Sequence, residues 1–124
     1  MEKTSADLYA EGIALFNDGR FFECHEAWEE VWKRSRGEEK RFYQGLIQAA
    51  VAILHAQRGN RDGARRLYEK ARAKLEVLPA EHAGIALDRL CEDLKQYFKV
   101  ALSGHRPLPS PPKLHKVKQP RRAS

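Results

Sequence analysis

Proline is nearly absent from the first 103 residues of this chain; Pro79 is the only one. That removes the commonest interruption of a helix. Alternating polar and apolar runs of strand length are missing too, so helical periodicity stands unopposed. Only Cys24 and Cys91 are present. Two cysteines without a secretion signal do not make a disulfide framework, and both thiols are expected to be reduced. The longest run free of charge spans residues 42–57 and is too short to cross a membrane, so no membrane insertion is expected. No basic segment followed by an apolar stretch opens the chain, so no signal peptide is expected and the cytoplasm is the expected compartment. A Gly-rich phosphate loop, a helix-turn-helix signature and an interleaved aromatic-basic surface are all lacking, which argues against a specific nucleic-acid role.

Acid is missing from the last 20 residues, "HRPLPSPPKLHKVKQPRRAS". They carry Arg106, Lys113, Lys116, Lys118, Arg121 and Arg122, which equal the whole net charge of +6. Residues 1–104 are therefore formally neutral, and the basic character describes a tail. Five of the six prolines lie there as well. The expectation is a helical domain over 1–103 followed by a disordered, basic, Pro-rich tail over 104–124. Weak, salt-sensitive contact with nucleic acid or an anionic surface is the interaction such a tail offers.

Helical spacing predicts five helices. The first covers about 5–18, with Thr4 or Ser5 as N-cap, Gly19 as stop, and Leu8, Tyr9, Ile13, Leu15 and Phe16 inward. The second covers about 20–35, with Phe21, Cys24, Trp28, Val31 and Trp32 as its core stripe. The third, about 38–58, is apolar nearly all round from Phe42 to Ala56 and belongs at the centre. The fourth covers about 61–77, a loop follows from Pro79 to Gly84, and the fifth covers about 85–102.

Laying the first two helices over the next two with a shift of 40 aligns "GIALFNDGRFFECHEAWEEV" with "AILHAQRGNRDGARRLYEKA". Gly19 meets Gly59, Cys24 meets Ala64, Trp28 meets Tyr68 and Val31 meets Ala71. Each unit reads helix, tight Gly turn, helix, with a small residue and an aromatic four positions on. This resembles the tetratricopeptide pattern, although the spacing exceeds its period. Gly12 within a helix costs about 1 kcal/mol relative to Ala, which points to close helix contact there. The predicted fold is all-α: a five-helix bundle of two antiparallel, tetratricopeptide-like hairpins plus a C-terminal capping helix.

Two polar stripes stand out from this core. On the second helix His25 lies about 40° from Phe21, toward Glu29 at about 80°, with Glu26 further round. On the third helix Gln44, Gln48 and His55 share one side. Buried amides and imidazoles need partners, and the simplest arrangement turns the two stripes toward each other. His25, Glu29 and His55 would then supply ligands for a divalent metal, Zn or Mn, leaving a position for water. Glu26 would be the base that takes a proton from that water, as in H-E-x-x-H, although here the second His is replaced by Glu29. Gln44, Gln48 and Glu23 are the candidate ligand-binding groups. Two other readings compete: a pocket for a small molecule or peptide, and a hydrogen-bond network that fixes helix register without any ligand. In that last case the protein is a non-enzymatic interaction module with a protein partner. The basic fourth helix suits solvent, an anion, or the acidic side of the second helix in another copy, which would make a homodimer. Cys24 and Cys91 are expected to be buried and without a nucleophilic role, since nothing adjacent stabilises a thiolate.

The pattern "GRFFECHEAWEEVW" at 19–32, "GLIQAA" at 45–50, His55 and "GNRDGA" at 59–64 resembles the family catalogued as domain of unknown function 309, over about residues 8–78. The resemblance implies an all-helical fold distantly like tetratricopeptide hairpins. It also implies that Glu23, His25, Glu26, Glu29, Trp32, Gln48 and His55 are the family's characteristic polar and aromatic positions. Metal-dependent hydrolase is a label sometimes attached to that family, and it rests on the same His/Glu motif.

Overall fold

Thr4 starts the first helix by a reciprocal capping box: its hydroxyl accepts from the Asp7 amide at 3.0 Å, and the Asp7 carboxylate accepts from the Thr4 amide at 3.1 Å. The computed structural model describes residues 2–117. Helix α1 (Ser5–Asn17) is followed by α2 (Phe21–Arg34), α3 (Gly37–Gln57) and α4 (Arg61–Leu75). A two-stranded antiparallel hairpin, β1 (Glu81–His82) and β2 (Ile85–Ala86), precedes α5 (Leu87–Ala101). The fold is mostly helical, with α1 packed on α2, α2 on α3, α3 most extensively on α4, and α5 on α4.

The internal repeat is realised in the packing. Gly19 and Gly59 both turn the chain with left-handed φ, 77° and 80°, which glycine adopts without steric cost. Cys24, Trp28, Val31, Ala64, Tyr68 and Ala71 are all buried. Gly12 is needed for close approach: a Cβ there would lie 2.1 Å from Trp28 Nε1. The Trp28 indole N–H donates to the Tyr9 carbonyl at 3.2 Å, tying the aromatic of α2 to the backbone of α1.

Two segments differ from expectation. The loop before α5 contains the β1–β2 hairpin, turned by Ala83 and Gly84 with φ of 50° and 79°. Two successive positive-φ residues are what a tight hairpin turn demands, and alanine is an unusual choice for one of them. The Tyr9 hydroxyl donates to the Ala83 carbonyl at 2.9 Å and so holds the turn against α1, while the His82 ring meets Phe42 of α3 at 4.6 Å between centroids.

The second difference corrects the tail. Residues 104–117, expected to be disordered, run back across the molecule as an extended strap. Asn17 clamps the backbone of Leu114 on both of its polar groups, donating to the Leu114 carbonyl at 3.0 Å and accepting from the Leu114 amide at 2.7 Å. The Ala86 amide donates to the His115 carbonyl, and the Val117 amide to the Gly84 carbonyl, each at 2.9 Å. The Leu114 side chain is buried in the core. Prolines remove backbone donors, but extended backbone still pairs through its remaining groups, and one buried leucine adds roughly 1.5–3 kcal/mol. Residues 118–124, the rest of the expected tail, lie outside the described residues.

Candidate functional site

The turn at Gly19 sends α2 off with Phe21, Cys24, Trp28 and Val31 toward the core, which leaves Phe22, His25, Glu29 and Trp32 as a neighbouring stripe with spacing 3, 4 and 3. His25 and Glu29 meet on it. His25 Nε2 lies 3.4 Å from Glu29 Oε2, with side chains 26% and 46% exposed. His25 Nδ1 lies 3.2 Å from the Phe22 carbonyl. Both contacts are favourable together only when both ring nitrogens carry protons. The imidazole also rests against the Phe22 ring at 5.6 Å between centroids, and Phe22 itself is 48% exposed. At the far end of the stripe, Lys40 Nζ sits 4.5 Å above the partly buried Trp32 ring. The Trp32 indole N–H is buried without a hydrogen-bond partner among the described residues.

The stripe of α3 does not complete this cluster, so the expected convergence is corrected. Gly45 and Gln48 are one helical turn apart, and the Gly45 side backs onto Leu75 and Lys74 of α4. Gln48 accordingly accepts from Lys74 Nζ at 2.9 Å. Gln44, one turn earlier, is partly buried. His55 is engaged at the α3–α4 turn, its Nδ1 3.2 Å from Asn60 Nδ2, while Asn60 Oδ1 caps α4 by accepting from the Gly63 amide at 3.0 Å. Among the described residues, no three His, Cys, Asp or Glu side chains are grouped to hold one metal ion. His25 and Glu29 form a two-donor pair, and His55 is not its third member.

Glu26 and Glu23 face elsewhere again. They line a cleft of about 420 Å³ between α1 and α2, together with Lys3, Glu11 and Arg20. Lys3 and Glu11 pair across its mouth at 2.6 Å, and Arg20 stands 3.8 Å from Glu23. The carboxylate expected to act as base is thus placed on another side of α2 from the His25–Glu29 pair.

Lys74 is the participant that sequence reasoning missed. Its ammonium is held below the ordinary lysine range, first by partial burial and then by the neighbouring charges of Arg41 and Lys70. The signal was its place three residues after the buried Ala71 and seven after Leu67, at the edge of the packing face of α4. Cys24 is fully buried and Cys91 partly so. Burial, then the charges of Glu76 and Asp88, push the Cys91 thiol up to about 11; burial pushes Cys24 up as well. Both therefore stay protonated and unreactive near neutral pH.

Residues 9–67 match the family described as Domain of unknown function (DUF309). This stretch, just under half of the chain, is similar to the DUF309 family. Uncharacterized protein YpuF of Bacillus subtilis (strain 168) is 39% identical over 79 residues, which is 62% of this chain and 44% of that protein. An uncharacterized protein of Aquifex aeolicus (strain VF5) is 32% identical over 110 residues, 88% of this chain and 32% of the relative. The chain spans less than half the length of each of these relatives. The DUF309 match covers α2 and α3 with all the motif positions at Glu23, His25, Glu26, Glu29, Trp32, Gln48 and His55.

Proposed function

We propose that the chain is a non-enzymatic helical-hairpin binding module, and that the Phe22–His25–Glu29–Trp32 stripe of α2 receives a basic amphipathic segment of a partner protein. The dispersal of the polar groups carries this reading: His25 with Glu29, Gln48 with Lys74, and His55 with Asn60 are three separate pairs. A stripe with an exposed Phe22, a half-exposed carboxylate and a partly buried Trp32 suits a surface that accepts one apolar side chain and one cation. The exposed acids on the other faces of α2, Glu23, Glu26 and Glu30, add negative charge to the same helix and favour a basic partner. Occurrence of the matching segment within two longer chains fits a portable unit.

The competing reading is a metal-dependent hydrolase. It draws on the His25–Glu29 pair alone, because the Zn or Mn site it requires lacks a third donor among the described residues. Titration of the purified chain with Zn²⁺ and with Mn²⁺ separates the two. The module reading expects no stoichiometric uptake that depends on both histidines. Near-stoichiometric metal, lost in His25→Ala and also in His55→Ala with the fold intact, would overturn it. A photo-crosslinker placed at Phe22 is expected to capture a protein that Glu29→Lys releases.

A further inference from the structure

A second polar cavity lies well away from the α2 stripe, where the α3–α4 turn meets the chain leaving α5. It has a volume of about 330 Å³ and is lined by Ala56, Gly59, Arg61, Ala101, Gly104 and Arg106. The two arginines reach across it in opposite directions. Arg61 Nη1 would stand 2.8 Å from a Cβ placed on Gly104, and Arg106 Nη2 3.8 Å from one placed on Gly59. Each glycine therefore makes room for the guanidinium that comes from the other segment. Both glycines have left-handed φ, 80° and 86°, so the turns that open the cavity and the absence of a side chain are one requirement.

Neither arginine forms an ion pair among the described residues; several other surface arginines share that state, but here two guanidinium groups line one cavity. Two like charges in one cavity repel, and nothing of opposite sign offsets them there. The start of α4 adds donors of the same polarity. Asn60 takes the Gly63 amide, and the preceding amides of Arg61 and Asp62 are first-turn groups that an α-helix leaves without an internal partner. The small walls, Ala56 and Ala101, leave the space between the two guanidinium groups open to an anion.

We infer that Arg61 and Arg106 clamp a dianionic phosphate, as inorganic phosphate or the phosphate of a small phosphomonoester. A guanidinium fork matches two oxygens of such a group, and two forks from opposite walls match its remaining charge. The clamp joins the α3–α4 turn to the start of the strap, so an occupied site also ties the strap to the second hairpin.

Inorganic phosphate titrated into the full chain, with ionic strength held constant by chloride, tests the clamp through backbone amide NMR. The expected result is saturable shifts at Arg61, Asp62 and Gly104 and a rise in thermal midpoint. Arg61→Gln and Arg106→Gln should each weaken binding by about tenfold or more, while Arg66→Gln, exposed on α4 and outside the cavity, leaves it unchanged. Arg61→Lys keeps the charge without the fork and should fall between wild type and Arg61→Gln. Thermal midpoints in chloride alone verify that each variant is folded. Equal response to chloride and phosphate, or equal weakening by Arg66→Gln, would overturn the clamp. Binding to phosphatidic-acid vesicles without saturable binding of free phosphate would overturn the small-molecule source.

Discussion

In the first hairpin, Trp28 fills the space between the helices against Gly12; the equivalent positions in the second hold Tyr68 and Ala52. A larger aromatic goes with the smaller helix residue, and a smaller aromatic with the larger one. The ties differ as well. Trp28 is fixed by its N–H to the Tyr9 carbonyl, whereas Tyr68 stacks on Phe98 of α5 at 4.4 Å and its buried hydroxyl has no partner among the described residues. The outer faces have opposite character: α2 exposes Glu23, Glu26 and Glu30, while α4 exposes Arg61, Arg65, Arg66 and Lys70. One packing plan thus serves two hairpins by exchanging volume, and the difference that bears on function is on the surface.

The hardest way to break this equivalence is Gly12→Ala. Its Cβ collides with an indole held on several sides, so a loss of about 3 kcal/mol is expected in urea unfolding. The mirror change in the second hairpin, Ala52→Gly, removes volume without a clash and should cost about 1 kcal/mol. Combining Gly12→Ala with Trp28→Tyr copies the second hairpin into the first; recovery of part of the loss sharpens the volume argument, and no recovery defeats it. Next in size is Leu114→Ala, which should cost about 2 kcal/mol because the strap loses its buried anchor. An unfolding midpoint equal to wild type would mean that the strap does not contribute.

Smaller effects separate structural pairs from surface ones. Gln48→Ala leaves a partly buried ammonium with only the Lys70 carbonyl at 3.4 Å as acceptor and should cost about 1 kcal/mol, whereas His25→Ala removes a surface contact and should cost about 0.3–0.5 kcal/mol. Reversal of that order in chemical denaturation would make His25 a structural residue. The least effect on stability concerns the cysteines. The Cys91 thiol is pushed up to about 11 in the folded chain, above its ordinary value of about 8.5. Its contribution is therefore complete below the unfolded value and is lost as pH rises through the folded one. Iodoacetamide labelling of Cys91 should stay slow at pH 8 and accelerate toward pH 11, with Cys24 labelled only on unfolding. Fast labelling of Cys91 at pH 8 would contradict its burial beside Glu76 and Asp88.

The helices were legible because their signals are local. Thr4, Gly19, Gly59 and the apolar spacings each act within a turn or two; Gly12 signals a close helix contact, and the packing supplies its partner, Trp28. The strap was not legible. Its anchor depends on Asn17 meeting Leu114, nearly the whole chain apart, and Pro-rich composition speaks only of helix and sheet interiors. The candidate site was read in part. His25 and Glu29 are one turn apart on one helix, so their meeting follows from helical geometry. Gln48 and His55 required knowing which neighbour α3 turns each face toward, and Gly45 sets that by admitting Leu75 of α4.

By itself the sequence determined five helices, the Gly turns that pair them, and the residues those pairs bury, because hydrophobic periodicity and backbone conformation are local properties. Only the tertiary structure decided that the polar stripes part company, that the strap lies down, and that Arg61 and Arg106 share a cavity. Those outcomes depend on the rotation of one helix against another and on contacts between distant residues, and no periodicity along the chain encodes either.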